Sequence, residues 1–160
     1  MSNIGVRGFY LITDTIKDNL LNDDNVNTVT TGDITKIDLA KQTIYPLSHI
    51  IVNNVTQEEQ VLRFNISVIC MDIVDQSKDE VTDIFVGNDN EHDILNTQLA
   101  VLNKLIELLR SGTLYQNKYQ LDGSVNCEPF YDRFENEVAG WVGTMDILID
   151  NDINICKLCV

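Results

Sequence analysis

The stretch EHDILNTQLAVLNKLIELLRSG, residues 91–112, constrains the fold more than any other part of the chain. Ile94, Leu95, Leu99, Leu102, Leu105, Ile106 and Leu109 recur at helical spacing and line one broad face. Asp89, Glu91 and Asp93 sit at its start, where the helix macrodipole favours carboxylates. Arg110 gives a cationic end, and Gly112 a stop. Burying four or five of those leucines contributes roughly 1.5–3 kcal/mol each before entropy is subtracted. Two heptads are too few for a coiled-coil seam, so the stripe predicts a helix lying on a sheet.

The strands for that sheet flank the helix. Ser48 to Val55 reads as a short strand, TQEEQ as a turn, and Val61 to Val74 as a long strand. Leu62, Phe64, Ile66, Val68 and Cys70 alternate there with Arg63, Asn65 and Ser67, giving one buried and one wetter face. Past Ile69 both faces are apolar, which predicts cover on both sides of that end. Pro46 suits the first position of a strand or the one just before it, because it has no N–H to donate. After the helix, TLYQNKYQLDGSVNCEPF predicts a strand, an Asp-Gly turn and a second strand. GWVGTMDILIDND puts Trp141, Met145, Ile147 and Ile149 on one face, with Thr144, Asp146 and Asp150 on the other. Between these, Phe130, Tyr131 and Phe134 share one-turn spacing, so FYDRFENEVAG predicts a single turn or short helix, with Gly140 allowing a bend. Those rings either pack as core or, with Arg133, form a subunit interface.

Phe9, Ile12, Ile16 and Leu20 predict an N-terminal amphipathic helix, ended by NDDN at 22–25. The following segment, residues 26–38, has β-branched residues on both sides of Thr-Gly-Asp and reads as a hairpin or extended loop. Its apolar residues are only Val26, Val29, Ile34 and Ile37, too few to support a free two-stranded ribbon. Such a projecting hairpin must pack on its own domain or reach a neighbour. Residues 76–90 form a polar connection with one apolar patch at Ile84 to Val86. The predicted class is α+β: a mixed, mainly antiparallel sheet with a long C-terminal-half helix, an N-terminal helix packed against it and an extended hairpin. Residues 1–160 suit a single domain, with 153–160 a C-terminal tail.

Apolar residues at 44% and charged residues at 22% place the chain among globular proteins. A formal net charge of −14 argues against gripping nucleic-acid phosphates or an anionic membrane surface. No apolar run approaches the roughly 20 residues of a membrane span, and no secretory leader is evident. No GxxxxGK, GxGxxG or GxSxG motif occurs, and Ser48 beside His49 lacks the makings of a triad. Cys70 reads as a buried free thiol. The terminal pair Cys156 and Cys159 lacks the second pair of ligands that zinc needs, and sits too close to the end for a redox site. The expectation is no catalysis, no cofactor and no metal.

EPFYDRFENEVAGW followed by an alternating strand, and DLAKQTIYPLSHIIVNNV before the long strand, resemble neck and tail-completion proteins of tailed bacteriophages. The element order is similar to the tail-terminator fold, and the Asn-rich composition suits a crAss-like phage. The resemblance covers about residues 5 to 152. It implies a homo-oligomeric ring of six or twelve copies in the virion neck or tail, joining portal to tail. DNA would pass through without specific binding, and the subunits would reside in host cytoplasm during assembly. In that ring the 26–38 segment would lie against the next subunit and strand edges would pair between copies. Val29, Ile34, Ile37, Phe130, Tyr131, Arg133 and Phe134 would serve the interface. Outside that resemblance, the residues also fit another phage assembly factor or a non-enzymatic cytosolic adaptor.

Overall fold

The computed structural model describes residues 4–39, 41–75, 79–111, 119–133 and 137–151. One five-stranded sheet carries two helices on the same face. The elements run α1 (Ile4–Leu21), β1 (Thr28–Thr31), β2 (Leu47–Glu58), β3 (Val61–Ile73), α2 (Glu91–Arg110), β4 (Gln120–Arg133) and β5 (Val138–Asp150). Strand order is β1-β2-β3-β5-β4, with only β1–β2 parallel. The fold is therefore α+β, with a mixed, mostly antiparallel sheet.

The main core lies between the helices and the sheet. Ile12, Ile16 and Leu20 of α1 meet Leu102, Leu105 and Leu109 of α2 and Phe64, Ile66, Val68 and Cys70 of β3. The contact stripe of α1 differs from the expected one by a residue. Gly8 occupies the inner position one turn before Ile12, where an added Cβ would stand 3.0 Å from the Ile149 side chain. Phe9 is rotated about 100° away and exposed. On α2, Leu99 likewise faces outward while Gln98 and Val101 are buried. The docking stripe follows i, i+4, i+7 from Ile94, a line that passes through Gln98 although glutamine is polar. Asn90 precedes the helix without capping it, its Oδ1 accepting instead from the Asp75 N–H at 2.6 Å. Gly112, the expected stop, lies outside the described residues.

A second, smaller core lies on the opposite face. Tyr45, Leu47, Ile69, Met71, Phe130 and Val138 form it, and Ile34, Ile37, Leu39 and Ile44 pack over them. This is the two-sided cover expected past Ile69. Its source corrects the expectation for residues 26–38, which do not form a projecting hairpin. Thr28–Thr31 joins the sheet beside β2, and Ile34–Lys36 is a 3-10 turn folded across the sheet. A ribbon with four apolar residues cannot stand alone; Ile34 and Ile37 find a surface to bury at the bare end of β2–β3, while Val26 and Val29 pack into the main core. The extended hairpin of the fold is β2–β3, joined through Glu59 and Gln60, the latter with φ 65°.

Residues 120–133 form one bulged strand, where two strands about an Asp-Gly turn were expected. Between Asp122 and Asn126 the register with β5 shifts, and Gly123 adopts φ +72° there, so Asp-Gly makes a bulge. Nor do Phe130 and Tyr131 begin a helix: they alternate in β4, Phe130 buried and Tyr131 exposed.

Candidate functional site

At one margin of the sheet a loop holds apolar side chains in solvent. Ile84 is 95% and Phe85 85% exposed, with Val81, Val86 and Tyr131 of β4 also open to solvent. Hydrogen bonds within the loop hold this tip outward. The Asp83 carboxylate accepts the Phe85 N–H at 2.9 Å, and the Gly87 N–H reaches the Asp83 carbonyl at 2.7 Å. Gly87, at φ +75°, turns the chain back. Asn88 then donates to the carbonyls of Asp79 and Glu80 at 3.0 and 2.7 Å, closing the base of the loop. The Phe85 ring meets His92 edge-on at 5.7 Å, and a shallow groove of about 260 Å³ runs between Phe85, His92, Leu95 and Tyr131. A preformed tip loses little entropy when it docks. The apolar run was legible in the sequence, but its exposure was not.

At the other margin a groove of about 570 Å³ opens between α1 and β1. Val29, Ile37 and Ile50 supply its apolar surface, and Asp14, Lys17, Asp33 and Lys36 stand around it. His49 holds the groove's outer wall in place. Its Nε2 donates to the Gly32 carbonyl at 2.8 Å, because a carbonyl can only accept. Nδ1 is then the acceptor for the Thr30 hydroxyl at 2.7 Å. Burial lowers the His49 pKa below its ordinary value, with the Gly32 carbonyl and the Asp33 charge opposing the shift. Ser48, on the other face of the strand, places its hydroxyl 3.8 Å from Cys70 Sγ and has no contact with the imidazole that could activate it. Cys70 is fully buried, and that burial pushes its thiol up to about 12.

Away from the second core, the sheet's open face is polar and cross-linked. Arg63 binds Glu58 at 2.8 Å, Asp122, and Asp146 at 3.7 Å, tying β3 to β2, β4 and β5. Asn53 donates to Asn65 and Ser67, and Asn65 donates to Asp146. Among the described residues no three His, Cys, Asp or Glu side chains converge in a way that could hold a metal ion. No described helix is long and apolar enough to cross a membrane.

The expected interface residues have separate fates. Val29 is half-buried against the main core, and Ile34 and Ile37 against the second. Phe130 is 3% exposed and packs in the second core rather than on the surface. Tyr131 is exposed beside the loop tip. Arg133 ends β4, while Phe134, Cys156, Cys159 and the 153–160 tail lie outside the described residues. Bulges interrupt β4 at two places and β2 near Asn53, and Pro129 within β4 has no N–H to donate. Bulges and proline are how edge strands resist pairing with other chains. Neither a family model nor a curated protein matches this chain.

Proposed function

We propose that the chain is a structural subunit of a homo-oligomeric ring in the neck or tail of a tailed phage, joining portal to tail around the DNA channel. The observation that carries this reading is the apolar tip, Ile84 and Phe85, held in solvent beside Tyr131. Contiguous exposed apolar surface of this kind marks a contact with another macromolecule. Burying the two tip side chains would contribute roughly 1.5–3 kcal/mol each, and a closed ring repeats that gain at every junction. The net charge of −14 fits a wall that DNA must slide past, because repeated carboxylates repel phosphates. The resemblance of residues 38–55 and 128–141 to neck and tail-completion proteins supplies the setting. Contacts between copies run through side chains in this reading, since the bulged margins disfavour a shared ladder.

Native mass spectrometry of the purified chain across a concentration series is the test. Six or twelve copies are expected, together with a ring in negative-stain images of virions that is lost when this product is absent. A chain that stays monomeric, in virions whose necks are unchanged without it, sinks the proposal.

A further inference from the structure

We infer that the Ile84–Phe85 tip of one copy seats in the groove between α1 and β1 of the next, a contact that rests on the ring reading above. Tip and groove lie at opposite margins of the sheet, the tip beside Tyr131 of β4 and the groove beside Val29 of β1. Four strand spacings of about 4.8 Å separate those margins, roughly 19 Å, so the tip cannot reach the groove of its own chain. A second copy can supply it.

Charge leaves this groove open to that occupant. Residues 79–93 contain six carboxylates (Asp79, Glu80, Asp83, Asp89, Glu91 and Asp93) and no Lys or Arg. The groove holds Lys17 and Lys36, two of only 11 basic residues in the chain. Neither lysine forms an ion pair with a described residue. Asp14 and Asp33 stand there too, but the Asp33 carboxylate already accepts the Thr35 N–H at 3.0 Å. The groove is thus close to charge-balanced on a strongly acidic subunit, where an acidic loop meets least repulsion. Its apolar surface and volume of about 570 Å³ suit two large side chains. Used head to tail, a tip-to-groove contact propagates from copy to copy and closes into a ring when the rotation between copies permits, whereas reciprocal exchange between two copies would stop at a dimer.

The test places a benzoylphenylalanine photo-crosslinker at position 85 of the full chain. That side chain is already exposed, so the substitution leaves the core untouched. Irradiation at millimolar protein, followed by peptide mapping, is expected to join position 85 of one copy to residues 13–17 or 29–37 of another. The double variant Lys17→Glu, Lys36→Glu is expected to weaken assembly at least about tenfold, with unchanged circular dichroism. Assembled protein whose position-85 cross-links map elsewhere overturns this contact and leaves the ring reading standing. Protein that remains monomeric at millimolar concentration and yields no intermolecular cross-link from position 85 overturns this contact, and with unchanged virion necks it overturns the ring reading as well.

Discussion

Replacing His49 with phenylalanine tests the wall of the groove and the protonation state assigned to it. The substitution keeps a ring of similar size in a fully buried site but removes both hydrogen bonds, to Gly32 and to Thr30. Each is worth about 1 kcal/mol net, so His49→Phe costs roughly 2 kcal/mol near pH 7.5. The pH dependence is the sharper measurement. Burial lowers the folded-state pKa of His49 below 6.5, so below that pH the unfolded chain binds a proton that the folded protein does not. Wild-type stability is therefore complete above pH 6.5 and falls as pH drops from there toward the folded-state value. Over one pH unit that loss is at most about 1.4 kcal/mol. Acidification also relieves repulsion in a chain of net charge −14, but it does so in both proteins, and His92 is common to both. Subtracting the two urea-unfolding free energies isolates His49. The gap between wild type and variant should narrow as pH falls from 7.5 to 5.5, by at most about 1.4 kcal/mol. A gap that is constant with pH, or that widens in acid, refutes the neutral buried imidazole.

Three further outcomes follow from the packing. Gly140→Ala should leave almost no folded protein, because its Cβ would stand 2.0 Å from the Cys70 carbonyl oxygen; Gly123→Ala, with open space but φ +72°, should cost only about 1–2 kcal/mol by thermal unfolding. Gln98→Met should raise stability by about 1 kcal/mol in denaturant titration, since Gln98 Oε1 is buried with no hydrogen-bond partner among the described residues. Deleting residues 27–37 removes β1 and two of the apolar side chains that cover the second core, so it should lower the denaturation midpoint sharply and expose apolar surface to a dye such as ANS; an unchanged midpoint would show that this segment contributes no core.

The parts of the fold that sequence conveyed well are those whose signal is local. The strand Val61–Ile73 announced itself by alternation, and α2 by its apolar stripe, because both periods arise from the backbone geometry of a single element. Errors of one position occurred where a small or polar residue held the docking line: Gly8 rather than Phe9, Gln98 rather than Leu99. Hydrophobicity was a poor guide there, since close approach of helix to sheet depends on side-chain size and on direction about the axis. The site was less legible. His49 looked like an isolated histidine until Gly32 and Thr30 were brought to it by the β1–β2 pairing.

Sequence alone determined the α+β class, the acidic character, the long helix and strand and the apolar patch at Ile84 to Val86, all of which depend on composition or on neighbours within a few residues. Only the tertiary structure decided that residues 28–31 pair in parallel with β2 and that the segment after them covers the second face. It alone decided that Asp-Gly bulges, that Phe130 goes inward and that Phe85 stays out. Those outcomes turn on which distant surfaces remain uncovered once the sheet has formed, a competition for burial between segments that no short window of residues contains.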